Sequence, residues 1–172
     1  MTKKIAFIFP GQGSQTLGML AEFAKEYPLI QETFAQASRV LKFDLWELCQ
    51  EGPEAVLNQT ENTQPALLTA SVALWRVWQQ QRGVKPTFMA GHSLGEYSAL
   101  VCAGALDFLI AVRLVAERGR LMQAAIPPGA GAMAAIVGLD NGKLQVLCDS
   151  LAEGQVLAPA NYNSIGQTVV AG

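Results

Sequence analysis

Gly91 and Gly95 bracket His92-Ser93-Leu94 at the seam between an apolar extended run, Thr87 to Ala90, and a helical pattern that begins near Glu96. The spacing is Gly-x-Ser-x-Gly, and between a strand and a helix it demands one geometry. A serine on so sharp a turn has a strained backbone and an outward hydroxyl, and small residues two before and two after let strand and helix approach without Cβ clashes. The N-terminus of the helix just beyond favours negative charge building on an attacked carbonyl oxygen. The competing reading of the same five residues is a glycine-rich turn in which Ser93 only caps the helix. The strand before and the helix after favour the reactive serine.

The rest of the chain supplies a matching frame. Lys4 to Phe9 reads as a buried strand stopped by Pro10-Gly11-Gln12-Gly13. Helical periodicity runs from Leu17 to Lys42 with a break near Pro28, and again from Gln64 to Arg82 through Leu67, Leu68, Val72, Trp75 and Trp78. Glu96 to Ala103 and Asp107 to Ala125 form two further helices, the second opened by Asp107 as N-cap and closed by Pro127-Pro128. Strands alternating with helices predict an α/β fold with a parallel sheet covered by helices on both faces.

Beyond the linker Pro127 to Gly131 the order becomes strand Ala132 to Gly138, helix Gly142 to Leu151, strand Gln155 to Ala160 and strand Thr168 to Ala171. That is β-α-β-β, which one more helix and one more strand would turn into a split βαββαβ unit. Two domains are expected, 1–126 and 127–172, with the second cut short at Gly172.

Composition excludes several functions. A net charge of −2 with scattered Lys and Arg offers no basic field for nucleic acid. The longest apolar stretch, Leu121 to Leu139, is broken by Pro127-Pro128-Gly129, so no membrane span is expected. The apolar part of the N-terminus, Ile5 to Phe9, is too short for a signal peptide, and the expected location is the cytoplasm. Cys49, Cys102 and Cys148 form no Cys-x-x-Cys pair, which predicts buried free thiols and no metal site.

Two further features carry chemistry. Pro10-Gly11-Gln12-Gly13-Ser14-Gln15 follows the first strand, but Thr16 stands where a dinucleotide loop needs glycine, and no Walker lysine follows. A loop at the carboxyl end of a parallel strand lies where ligands bind, and glycines on either side of Gln12 let its N–H point into the site as a second oxyanion donor beside that of Leu94. The alternative is a plain turn capped by Ser14. On a wheel of about 100° per residue, Arg113, Glu117 and Arg120 share one side of their helix, whereas Arg118 lies about 50° from the centre of the apolar stripe. An inward guanidinium needs an anion, so Arg118 either pairs with a buried Asp or Glu or awaits a ligand carboxylate.

Taken together, Gly11-Gln12-Gly13-Ser14-Gln15, Gly91-His92-Ser93-Leu94-Gly95-Glu96, Arg118-Gly119-Arg120-Leu121-Met122-Gln123, and Asn161-Tyr162-Asn163-Ser164 with Gly166-Gln167 resemble the malonyl-CoA:acyl-carrier-protein transacylases of bacterial fatty-acid synthesis. The resemblance implies that Ser93 is the acylated nucleophile, that the N–H groups of Gln12 and Leu94 form the oxyanion hole, and that Arg118 grips the free malonyl carboxylate. It further implies that His92 and Asn163 line the substrate site and that malonyl-CoA is substrate and acyl-carrier protein the acceptor, with no cofactor and a monomeric enzyme. The implied architecture is a large α/β-hydrolase-like domain with a smaller ferredoxin-like one inserted in it.

Two departures stand out. Ile165 replaces the proline that many members have, a change expected to be tolerated in a loop. The family's catalytic histidine follows the second module, whereas the one histidine here is His92, which on the elbow projects away from Ser93. The 172 residues alone are therefore expected to be nearly inactive. The rival readings are a polyketide-type acyltransferase, a serine esterase, and an inert fragment or binding module. Leu94 fits malonyl better than methylmalonyl selectivity within the wider family.

Overall fold

Strand β1 (Ala6–Phe9) pairs in parallel with β2 (Phe88–Gly91), Phe9 lying opposite Gly91. A parallel pair requires a crossover, and here it is a helical layer: α1 (Ala21–Glu26), α2 (Leu29–Leu41), α3 (Leu45–Glu51), α4 (Glu54–Leu57) and α5 (Thr60–Gln80). After β2 come α6 (Leu94–Cys102) and α7 (Phe108–Ala125), with Asp107 Oδ1 accepting from Ile110 N at 2.9 Å as the expected cap. The computed structural model describes residues 4–127 and 129–172, which fall into two compact units, Met1–Ala124 and Ala125–Gly172. Of the expected linker, Pro128 lies outside the described residues.

Helix α5 is the centre of the first unit. Every residue from Thr63 to Ala73 is buried, so α5 is covered on all sides at mid-length. Against it pack Ile30, Phe34 and Ala37 of α2, while Leu45, Leu48 and Cys49 of α3 complete the same core. Phe7 of β1 meets Trp75 and Trp78 of α5 edge-on, with ring centroids 5.5 and 5.4 Å apart. The opposite face of the strand pair is different: Ile8 is 73% and Phe88 64% exposed. The expectation of helices on both faces thus holds for one face among the described residues, because the α5 aromatics occupy the Phe7 side and no described element buries Ile8.

Several elements depart from the sequence reading, and the helices of the first unit do so for local reasons. The break at Pro28 is present, but α1 begins at Ala21 rather than Leu17, since Gly18 and Leu20 take φ of 76° and 65° and cannot continue a right-handed helix. Helix α5 starts at Thr60, four residues ahead of the expected Gln64, and carries Pro65 inside it. Helices α3 and α4 occupy a stretch to which periodicity assigned nothing. Asp44 caps α3, accepting from Glu47 N at 2.9 Å.

The second unit has the expected β-α-β-β order: β3 (Met133–Val137), α8 (Asn141–Leu151), β4 (Ala158–Ser164) and β5 (Gln167–Ala171), in an antiparallel sheet ordered β3-β5-β4. Asp140 Oδ1 caps α8 through Gly142 N at 2.9 Å and Lys143 N at 3.3 Å. Leu144, Cys148 and Val170 form its small core. β4 extends to Ser164 rather than ending at Ala160. A two-residue turn, Ile165-Gly166, joins it to β5, and Gly166 supplies the positive φ of 76°.

Between β2 and α6, Ser93 adopts φ 55° and ψ −112°, outside both the helical and the extended regions. Such a conformation costs a non-glycine residue about 1–3 kcal/mol. Ser93→Gly should therefore be more stable than Ser93→Ala by about 1 kcal/mol in denaturant unfolding, since both remove the hydroxyl and only glycine relieves the strain. Equal stabilities would mean that the turn stores no strain.

All three cysteines are free and buried. Burial, aided by Asp44, pushes the Cys49 thiol up to about 12, and burial does the same for Cys102 despite the opposing charge of Arg76. Each folded value lies above the ordinary 9.0. Their contribution to stability is therefore complete below pH 9.0 and is lost as pH rises towards 12. A thiol reagent at pH 8 should leave Cys49 and Cys102 unmodified until denaturant is added, and unfolding midpoints should fall as pH is raised above 9.0.

Candidate functional site

The site begins with backbone proximity. A Cβ on Gly91 would run into the backbone of Gly95, and a Cβ on Gly95 would run into the carbonyl of Phe9 and come within 3.0 Å of Pro10 O. Both glycines are therefore required by contact as well as by spacing. Gly95 N donates to His92 O at 2.9 Å and Glu96 N to Ser93 O at 3.2 Å, which closes the turn. Leu94 is the first residue of α6, so its N–H has no acceptor within the helix, while its side chain is buried. The Ser93 side chain stands exposed above it.

Because Phe9 pairs with Gly91, the loops that follow β1 and β2 leave the sheet at the same edge. A Cβ on Gly11 would lie 3.3 Å from His92 O, which places the Gln12 loop against the elbow. The loop is tied down by amides rather than by Ser14. Gln12 Nε2 donates to Thr60 Oγ1 at 3.2 Å, Gly13 N donates to Gln15 Oε1 at 2.9 Å, and Gln15 Nε2 donates to Asn58 Oδ1 at 2.8 Å.

Arg118 completes the arrangement from α7. At Gly119 an added Cβ would sit 2.6 Å from both Thr60 O and Glu61 Cα, so the glycine lets α7 lie directly on the first turn of α5. From there Arg118 Nη2 donates to Ser93 Oγ at 2.9 Å and Nη1 to Gln64 Oε1 at 2.8 Å. Its Cζ lies 5.6 Å from the ring centroid of Tyr97, one turn along α6 from Ser93. The sequence left two fates open for this guanidinium. Among the described residues no Asp or Glu comes within 4.0 Å of it; the ion pairs are Lys25–Glu22 and Arg120–Glu117. On the outer side of the same helix, Arg120 holds the Glu117 carboxyl below the usual carboxylate range through its hydrogen bonds.

The structure thus brings Ser93, Leu94, Gln12 and Arg118 to one edge of one unit. His92 is exposed, and the hydrogen bond recorded for Ser93 Oγ comes from Arg118 rather than from His92. Asn163 belongs to the second unit and lies exposed on β4, not in a loop as expected, because the strand runs on to Ser164 before turning. Sequence reasoning missed Gln64 and Tyr97. Gln64, fully buried, stands at the start of the helix that periodicity predicts, and an amide opening an otherwise apolar run is the available signal. Tyr97, four residues after Ser93, follows from helical spacing once α6 is known to start at Leu94.

An exposed hydroxyl on a strained turn, a helix N-terminus beneath it and an acid-free cation 2.9 Å away make a site suited to forming and holding an ester with an anionic group.

Comparison with known proteins shows which family the chain resembles. The malonyl CoA-acyl carrier protein transacylase of Escherichia coli (strain K12) is 64% identical over 169 residues, covering 98% of this chain and 55% of that protein. The Bacillus subtilis (strain 168) protein of the same name is 48% identical, over 98% of this chain and 53% of its own length. Among solved structures, an acyl carrier protein S-malonyltransferase from Vibrio cholerae superposes with a TM-score of 0.93 at 58% identity, covering 99% of this chain and 56% of that one. A malonyl-transacylase in complex with its type II PKS acyl-carrier protein gives a TM-score of 0.93 at 59% identity, covering 99% and 55%. The chain spans about half the length of the curated relatives it matches. Residues 6–172 match the acyl transferase domain, and the chain belongs to that family.

Proposed function

We propose that these residues carry the nucleophile and the carboxylate grip of a malonyl-CoA:acyl-carrier-protein transacylase acting in fatty-acid synthesis. The observation that carries the reading is the Arg118 guanidinium, which has no acidic partner among the described residues and donates to Ser93 Oγ at 2.9 Å. Ser93 Oγ attacks the thioester carbonyl of malonyl-CoA, the N–H groups of Gln12 and Leu94 hold the oxyanion, and CoA thiolate leaves. The malonyl-serine ester keeps its carboxylate on Arg118, with His92 as a further contact to substrate. The phosphopantetheine thiol of acyl-carrier protein then attacks the ester, which makes the kinetics ping-pong. No cofactor enters, and the enzyme works as a cytoplasmic monomer.

The base that takes the Ser93 proton is, in the family the chain resembles, a histidine downstream of the serine. His92 is the one histidine in the sequence, and its position beside Ser93 on the elbow does not suit that role. The 172 residues by themselves should therefore turn over slowly, since loss of the base from a serine triad costs a factor on the order of a million. The first unit is read as part of an α/β-hydrolase-like domain, and the β-α-β-β unit as the start of a ferredoxin-like insertion. A serine esterase shares the elbow, but it has no use for an acid-free arginine beside the nucleophile.

Intact-mass measurement of the native gene product after brief exposure to malonyl-CoA should give one malonyl adduct that Ser93→Ala abolishes. Arg118→Ala should lower the preference for malonyl over acetyl groups by on the order of a hundredfold or more, because the carboxylate loses its one charged partner. An adduct that persists in Ser93→Ala, or an undiminished preference in Arg118→Ala, would sink the proposal.

A further inference from the structure

We infer that Gln64 is a positioning residue that leaves the charge of Arg118 free for a ligand carboxylate: its neutral amide holds Arg118 against Ser93 without neutralising it. This rests on the function proposed above. A guanidinium has donors and no acceptor, so the atom of Gln64 that faces Arg118 must be the carbonyl oxygen, at 2.8 Å. The amide nitrogen then points the other way and donates to Met122 Sδ at 3.3 Å, a weak acceptor that fixes the amide orientation without adding charge. Gln64 is fully buried on the all-round-packed part of α5, so neither group can turn away to solvent.

Chemistry makes the amide informative. A glutamate of almost the same shape would accept both guanidinium nitrogens and form the bidentate pair that arginine makes best. That would fix Arg118 just as well, but it would also cancel the charge that a ligand carboxylate needs. With glutamine, Nη1 is anchored and the positive charge stays available beside Ser93, where Nη2 already reaches the nucleophile. Anchoring and neutralising are thus separable at this position, and the chain does the first without the second.

The test is a comparison of Gln64→Glu and Gln64→Leu in the native gene product, with kcat and KM for malonyl-CoA and acetyl-CoA transfer measured separately. Gln64→Glu should cut the malonyl-to-acetyl ratio of kcat/KM by on the order of a hundredfold, with acetyl transfer unchanged or raised. Gln64→Leu, which removes the anchor but adds no charge, should raise KM for malonyl-CoA about tenfold and keep malonyl preferred. Packing damage alone would lower both acyl groups alike in both variants, and that result would overturn the inference. So would an undiminished malonyl preference in Gln64→Glu. If Gln64→Glu does not fold, Gln64→Leu decides: retained preference with raised KM supports the inference, and lost preference overturns it. Absence of malonyl preference in the unsubstituted protein would instead defeat the proposed function itself.

Discussion

Where the backbone of α6 at Gly95 meets the carbonyls of Phe9 and Pro10, there is no room for a side chain, and the candidate site is arranged around that contact. It presses the first turn of α6 against the end of β1, so that the loop after β1 and the elbow after β2 share one edge. It also forces the chain to reverse within His92-Ser93-Leu94, which is why Ser93 is held at φ 55°. A serine at this φ and ψ is unstable by itself and persists only where its surroundings over-determine it. Here they do, with Gly91 closed against Gly95 on one side and Leu94 buried on the other.

The second organising element is the first turn and a half of α5. Thr60 receives the Gln12 side chain, Thr60 and Glu61 receive the bare backbone of Gly119, and Gln64 receives Arg118. One helical segment therefore indexes the Gln12 loop and the cation to each other. The two arginines of α7 illustrate the result. Arg120, on the outer face, is satisfied by Glu117 three residues away, a pair that solvent screens and that contributes little. Arg118, two residues earlier, is turned inward to neutral partners. The helical wheel assigns the faces, but only the packing of Gly119 shows how far inward the second one reaches.

What could be read from the sequence was what local rules determine. The elbow depends on five consecutive residues and two flanking elements, the parallel pairing follows from strand-helix alternation, and the direction of Arg118 follows from a regular 18-residue helix. Helices α3 and α4, of 7 and 4 residues, are too short for periodicity to register, although Leu45, Leu48 and Cys49 are buried at helical spacing and Asp44 is a sound cap. The Asn161-Tyr162-Asn163-Ser164 motif looks like a turn because asparagine and serine are turn formers, yet β5 pairs with it through Ser164. The acid-free state of Arg118 is of another kind. It depends on which residues α5 brings from 54 positions away in the chain, and no local pattern encodes that.

The late reading of α5 has the same origin as its role. Proline favours the start of a helix, so Pro65 invites a boundary near Gln64. In the structure Pro65 lies inside, and it removes the N–H that would have bonded the Glu61 carbonyl. The turn that anchors Gln12, Gly119 and Arg118 is therefore short of one helical hydrogen bond and must be held by other means. Thr63 Oγ1 donates to Leu57 O at 2.6 Å in a fully buried setting, and Asn62 Nδ2 donates to Val56 O at 3.0 Å. Both ties run back to α4, which explains why a four-residue helix persists there: it is held by the turn of α5 that it holds in place. The geometry at Ser93 is thus supported by a side-chain-to-backbone lock two elements away, and a substitution at Thr63 would reach the site without touching it.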